Sequence, residues 1–451
     1  MQSALNYAMT LRIPSQCPPV TTDSLSQLHW DLLKATFGRL LSANIYRHHV
    51  PTLTRLLRLL GHRLHGGTIV VEDGAEHFRL GDGSPTVHVT IHDARAWSSL
   101  TRKGSVGLGE GYVEGWWDAD DLTDLVRILL VNTSMLRSAL DGLGQAAAPL
   151  VGQVARLRER TAAQDRRNVQ AHYDLPGELF EVMLDETMAY SCAVFERPGV
   201  TLAEAQRAKF DRLCRKLRLG LDDHLVEIGT GWGGLAVHAA ERYGCRVTTT
   251  TISDAQREVA AKRVADAGLA DRVTVLGRDY RDLEGRYDKL VSVEMIEAVD
   301  WRSHDTFFGS CSRLLRPDGL MALQAITIAD RSFERAKLHD DFIKKMIFPG
   351  GCIPSIEAIA RSVRRATDFA IVDLEDIGRH YAETLRRWDL ALRSGSERLT
   401  RRGFDRRFQR LWDLYLCYCE AAFLERHISD VQVVLAKPAW RSEPPFELRP
   451  S

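Results

Sequence analysis

The run Leu225-Val226-Glu227-Ile228 is apolar at all but one position and passes directly into Gly229-Thr230-Gly231-Trp232-Gly233-Gly234. Apolar residues then recur at Leu235, Ala236, Val237, Ala239 and Ala240, the spacing of a helix with one buried face. This pattern predicts a strand, a glycine turn and a helix in immediate succession. A second strand is predicted to end at Thr250-Thr251-Ile252-Ser253, with Gln256 on the next helix. Further strand ends fall at Arg278-Asp279-Tyr280 and within Val291 to Ala298. Strands and helices keep alternating to about Pro438, which predicts a doubly wound α/β fold whose strand ends line one cleft at the carboxyl edge of a parallel sheet.

Upstream, Thr68-Ile69-Val70-Val71 and the alternating Thr86 to His92 are strand-like. Gly104 to Trp117 holds too many glycines for a long helix and ends in the pair Trp116-Trp117. The pattern divides the chain into a loose N-terminal arm (1–30, with Pro14, Pro18 and Pro19), a smaller α/β domain (31–145), an Ala- and Arg-rich helical linker (146–168) and a catalytic domain (169–451). No internal repeat is visible.

Length and composition fit this division. A chain of 451 residues with 45% hydrophobic and 27% charged positions builds two or three globular domains. Lys+Arg and Asp+Glu both number 60, so no net field favours nucleic acid. No charged-then-apolar leader follows Met1, and no apolar run is long enough to span a bilayer. The eight cysteines are scattered, with no CxxC pair and no zinc-like spacing, so a reduced cytoplasmic chain without a metal site is expected. Charge is uneven locally. From Phe37 to Gly67 there is no acid, while Arg39, Arg47, Arg55, Arg58 and Arg63 alternate with leucines at helical spacing. Such a helix suits an anionic membrane surface or, equally, a solvated packing role; Arg386 to Arg410 carries the same two readings.

The glycine turn points to a ligand. Gly229, Gly231 and Gly234 fit G-x-G-x-x-G, a spacing open to both nicotinamide and S-adenosylmethionine sites. Glycines let the backbone approach a ligand, and the free N–H groups of the helix start face it. A nicotinamide site calls for an acid at the end of the second strand to bind ribose, and threonines stand there. Glu227, just before the first glycine, suits an amino-acid ammonium better than a pyrophosphate. The residues therefore favour S-adenosylmethionine and the class I methyltransferase sheet.

Five further segments stand in register: Ala171-His172-Tyr173-Asp174-Leu175, Met188 to Ala193, Leu225 to Gly234, Asp279-Tyr280-Arg281-Asp282 and Ile347 to Ser355. With Gly107 to Tyr112 and Gly115-Trp116-Trp117, they resemble the cyclopropane fatty-acyl-phospholipid synthase family over about four-fifths of the chain. That resemblance implies S-adenosylmethionine contacts from Tyr190 and Ser191 on the lid side. It places Gly229 and Gly231 at the methionyl part, Thr251, Ile252 and Gln256 near the ribose, and Asp279 with Tyr280 at the adenine. It also implies a bicarbonate ion as general base, held by a Cys, a Glu, a His, an Ile backbone and a Tyr. Those positions read here as Cys192, Glu297, Gln324, Ile326 and Tyr381, so the histidine alone is replaced. A cysteine sometimes assigned as catalytic falls on Cys419, where an alkene offers a thiolate nothing to add to.

Two more departures around the base, Glu294 and Ala298, accompany Gln324. The family's cyclopropane formers read Gly-Met-Phe-Glu-His where this chain reads Glu294-Met295-Ile296-Glu297-Ala298. The set resembles the actinobacterial branch that makes 10-methylene, then 10-methyl, stearoyl chains on the route to tuberculostearic acid. Cyclopropane formation on the same unsaturated acyl phospholipid is the alternative. Both begin with methyl capture by a cis alkene and differ in how soon a base quenches the resulting carbocation. Losing an imidazole at position 324 is expected to slow that quench, let a hydride shift and favour the methylene. Tyr173, Tyr190, Tyr280 and Tyr381 are candidates for stabilising the cation, or for core packing. Glu294 is read as a structural or surface acid, and His172 as a positioning residue.

The expected partners are the phospholipid substrate and membrane surface, a separate reductase for the methylene product, and further copies of the chain in a homo-oligomer. The expected location is cytoplasmic, peripheral on the inner face of the plasma membrane. A nucleic-acid methyltransferase is disfavoured because no Asn-Pro-Pro-Tyr motif occurs. A non-catalytic lipid-binding module is disfavoured by the intact Tyr190-Ser191-Cys192, Glu297 and Tyr381 set.

Overall fold

The computed structural model describes residues 61, 63–133, 177–338 and 342–441. The predicted arm and linker, the residues His172 and Tyr173, and all of the first basic segment except 61 and 63–67 lie outside the described residues.

The smaller sheet holds β1 (Thr68–Asp73), β2 (Glu76–Leu80), β3 (Thr86–Ile91) and β4 (Trp117–Ala119) in the order β2-β1-β3-β4. The alternation of Thr86 to Ile91 appears directly as a strand with Val87 and Val89 buried. The larger sheet holds β5 (His224–Ile228), β6 (Arg246–Thr250), β7 (Val273–Leu276), β8 (Tyr287–Val293), β9 (Leu315–Ile328), β10 (Ala370–Asp376) and β11 (Ile428–Ala436). Their order is β10-β11-β9-β8-β5-β6-β7, with β11 alone antiparallel to both neighbours. β5 is buried at four of its five positions, as expected of a strand covered by helices on both faces.

One face of this sheet packs on Phe307, Phe308 and Leu314, the other on Phe210, Leu213 and Ala236. A third cluster, rich in rings, includes Tyr190, Trp232, Tyr381, Trp388, Trp412 and Tyr415. Strand order reverses between β5 and β8, and the crevice at such a switch point is where open α/β sheets bind ligands.

Two expectations are refined. The glycine-rich stretch contains a helix, Ser105–Val113, because its glycines serve packing rather than turning. A Cβ on Gly107 would sit 2.0 Å from the Ser99 carbonyl oxygen, and one on Gly109 would sit 2.5 Å from the Phe342 ring. Close approach of neighbours outweighs the entropic cost of glycine here. The second basic stretch resolves toward its structural reading. Arg386 and Arg387 pair with Glu383, Arg393 with Asp389 and Asp413, Arg407 with Glu114, and Arg410 with Asp118. Two of these pairs, Arg407 with Glu114 and Arg410 with Asp118, together with the hydrogen bond from Tyr112 to Asp413, tie the smaller sheet and its helices to the long helix Arg406–Leu424. Arg393 also supplies the cation for the cluster of Asp389, Asp413 and Cys417, whose ligand atoms lie within 4.8 Å of one another. Among the described residues, no helix is long and apolar enough to cross a membrane.

Candidate active site

A cavity of about 960 Å³ opens at the carboxyl ends of β5, β6, β8 and β9. Its floor is the glycine turn. Gly229, Gly231 and Gly233 all have positive φ (98°, 50° and 87°), a backbone path that side chains resist. The N–H groups of Gly229 and Thr230 donate to the Thr250 carbonyl at 3.0 Å each, locking the turn to β6. A Cβ on Gly234 would lie 2.5 Å from the Thr187 carbonyl oxygen, whereas one on Gly231 would meet no atom within 4 Å. Gly231 therefore faces open cavity.

Around this turn the predicted cofactor residues converge. Tyr190, Ser191, Glu227, Gly229 and Gly231 all line the cavity, as do Thr251, Ile252 and Gln256, with Asp279 and Tyr280 beyond them. Glu227 is buried beneath the turn, 2.6 Å from Thr249 Oγ1, and burial pushes its pKa up to about 8. A buried acid short of donors is what an incoming ammonium would satisfy. Thr251 donates to the Gln256 side chain at 2.8 Å, and Asp279 accepts from the Arg281 guanidinium at 2.6 and 2.8 Å. Tyr190 stacks on Trp388 and exchanges a hydrogen bond with Tyr415 at 2.9 Å. A glycine-lined approach above a buried carboxyl fits the amino-acid portion of S-adenosylmethionine.

The other end of the cavity is built around a residue the sequence reading set aside. Glu294 follows β8 with φ +47°, unusual for a residue with a side chain. That twist turns its carboxylate into a nest of donors. Oε1 accepts from the Cys192 N–H and from Gln324 Nε2, each at 2.8 Å, and Oε2 accepts from the Tyr381 hydroxyl at 2.5 Å. Glu294, Glu297, Ile326, Tyr381 and Cys419 line the cavity, while Gln324 is fully buried behind Glu294. Glu297 Oε1 accepts from the Ile326 N–H, and its Oε2 is buried without a partner. Burial, then the Glu294 charge, pushes the Glu297 pKa up to about 8.

Two expectations change accordingly. Glu294, expected as a structural or surface acid, lines the cavity with its carboxylate held by three donors. The bicarbonate ion does not fit: three of its five expected partners already donate to Glu294 and a fourth donates to Glu297. An added anion would find its donors taken and two acids facing it. The role assigned to a cysteine also shifts in kind. The Cys192 thiol is fully buried, raised well above its usual pKa by burial, and directed at the Ala193 and Ile377 carbonyls. Its main-chain N–H is the group that reaches the site.

Sequence reasoning also missed Lys209 and Asp430. Lys209, fully buried, donates to Ser191 Oγ at 2.6 Å, with its pKa lowered by burial. Asp430, fully buried in β11, accepts from Gln324 Nε2 at 3.0 Å. A lysine on a helix and an aspartate in a strand carry no local mark of function. Glu294 did carry one, a charged residue where the resembling family has glycine.

The reversed strand order, the glycine turn and the acid-lined cleft together define an S-adenosylmethionine-dependent methyltransferase. Comparison with known proteins narrows this. Residues 160–433 match the family described as mycolic acid cyclopropane synthetase, and the chain belongs to that family. It is 38% identical over 381 residues to the tuberculostearic acid methyltransferase UfaA1 of Mycobacterium tuberculosis, across 82% of this chain and 87% of that one. It is 34% identical over 366 residues to the cyclopropane-fatty-acyl-phospholipid synthase of Escherichia coli, across 79% and 89%. The solved structure of mycolic acid cyclopropane synthase CmaA1 with SAH and CTAB superposes with a TM-score of 0.56 at 32% identity, covering 60% of this chain and 98% of that one.

Proposed function

We propose that this enzyme transfers a methyl group to the cis double bond of an oleoyl-type phospholipid chain and releases a 10-methylene acyl product, with Glu294 as the base. The observation that carries this reading is the Glu294 carboxylate, held by three donors and open to the cavity.

S-adenosylmethionine, when bound, supplies an electrophilic methyl. The chain's own residues do the rest. Tyr190 and Ser191 close over the donor. The Gly229–Gly231 turn and Glu227 hold its amino-acid end, Thr251, Ile252 and Gln256 its ribose, and Asp279 with Tyr280 its adenine. The ring-rich wall excludes water and aligns the alkene, whose π electrons form the new carbon–carbon bond. The neighbouring carbon is left cationic, facing Tyr381 and Tyr190. A hydride then shifts onto it, and Glu294 takes a proton from the former methyl, whose C–H electrons become the exocyclic double bond. Glu297, with its pKa at about 8, holds its own proton at pH 7 and adds no second charge.

Arg331 and Arg335 line the same cavity and bring positive charge to where a lipid phosphate would enter. On this reading the enzyme works as a peripheral homo-oligomer on the inner membrane face, and a separate reductase saturates the methylene. Incubation with dioleoyl phospholipid vesicles and methyl-labelled S-adenosylmethionine, followed by NMR of the acyl chains, tests it. A labelled exocyclic methylene is expected. A ring as main product overturns the methylene reading, and no transfer overturns the substrate reading.

A further inference from the structure

Behind Glu294 lies a second acid with no part in that chemistry. Asp430 is fully buried, and its backbone pairs with Ile326 across β11 and β9. Gln324 bridges the two acids, donating through Nε2 to Glu294 Oε1 at 2.8 Å and to Asp430 Oδ2 at 3.0 Å. Its orientation is fixed from behind, since Gln324 Oε1 accepts from Gln432 Nε2 at 3.0 Å. Reversing the amide would aim its oxygen at both acids. Asp430 Oδ1 has no donor at all.

The charges facing this pair can be counted. Glu294, Glu297 and Asp430 are the acids, Cys192 and Tyr381 are weak acids held neutral, and Lys209 is the one cation named among these groups. Burying several like charges beside a single cation is costly, so the acid with fewest donors keeps its proton. Glu294 has three donors and Asp430 has one.

We propose that Asp430 is a positioning residue for the base: it holds a proton against Glu294, so that the pair carries one negative charge and Glu294 takes the substrate proton more slowly. This rests on Glu294 being the base. Burial raises the Asp430 pKa well above the carboxylate range, and the Glu294 charge beside it pushes the same way. A hydrogen bond from a protonated Asp430 occupies part of the Glu294 carboxylate, so that the carboxylate takes the methyl proton more slowly. The substrate cation then survives long enough for the hydride to shift. Asp430 gains and loses no proton in that step; the methyl proton goes to Glu294.

The test has two parts. Infrared difference spectra of the whole enzyme at pH 7 should show a buried protonated-carboxyl band in the wild type that Asp430→Asn removes. Absence of that difference overturns the proposal without touching the base reading. On dioleoyl vesicles, Asp430→Leu removes the donor and should raise the ring-to-methylene ratio severalfold. Asp430→Asn still offers an N–H and should hold, at every pH, the ratio that the wild type shows at pH 7. The wild-type ratio should itself move toward the ring at alkaline pH. An unshifted ratio in Asp430→Leu, or a pH dependence that persists in Asp430→Asn and so belongs to Glu297 or Lys209, also overturns it. Retained turnover in Glu294→Gln would instead remove the base reading on which the proposal stands.

Discussion

The strands β5 and β8 are hydrogen-bonded neighbours, and each ends in a left-handed backbone at the edge of the same cavity. After β5 the left-handed positions are glycines, and the site is made of backbone that lets a ligand come close. After β8 the left-handed residue is Glu294, and the site is made of a side chain aimed into donors from three distant segments. The first end leaves space and the second fills it. An unstrained turn can be assembled from adjacent residues, whereas a strained carboxylate needs Cys192, Gln324 and Tyr381 to hold it.

Removing the carboxylate should break this contrast most. Glu294→Gln keeps the shape, removes the proposed base, and is expected to lower kcat by about 10²- to 10⁴-fold, the usual worth of a general base. Calorimetric affinity for S-adenosylmethionine should stay near wild type, because the β5 end is untouched. Glu294→Gly sharpens the point. It empties the donor nest, so turnover lost in bicarbonate-free buffer should return when bicarbonate is added, while the wild type should be indifferent to it.

A smaller effect is expected at the other end. Gly231→Val places a β-branched side chain at φ +50° in the space the cofactor approaches, and a left-handed conformation alone costs about 1–2 kcal/mol for such a residue. Affinity for S-adenosylmethionine should fall more than about tenfold, one step of 1.4 kcal/mol. Product ratio from the residual turnover should not change.

The smallest effect concerns stability against pH. Glu227 and Glu297 have pKa values pushed from 4.5 to about 8. Between those values the unfolded chain has released these protons and the folded chain still holds them. Stability should therefore fall as pH rises from about 4.5 to about 8. Thermal melts without cofactor should show that slope, and Glu227→Gln should flatten it.

The legibility of the two ends follows their construction. At the β5 end the turn, the helix after it and the cavity-lining Thr251, Ile252 and Gln256 follow one another closely along the chain, so they could be read from spacing. At the β8 end the donors lie 102, 30 and 87 residues from Glu294 in sequence, and their meeting depends on the tertiary fold and, for Gln324, on strand register. Gln432 faces Gln324 and Asp430 faces Ile326 only because β11 runs antiparallel to β9. Gln324 was noticed as a missing histidine, yet its place behind Glu294 was not foreseeable. The arginines from 386 to 410 teach the same lesson in reverse, since their acidic partners, Glu114 and Asp118 among them, lie in the smaller α/β region.

The left-handed backbone at Glu294 has a consequence for heredity. A glycine fits that position without strain, and a glycine codon ending in a purine becomes a glutamate codon through one change at its middle base. A lineage could therefore pass between a borrowed, diffusible base and one carried in its own gene by a single mutation. With Glu294 as the proposed base, that step strains the local backbone and makes a dissolved anion unnecessary.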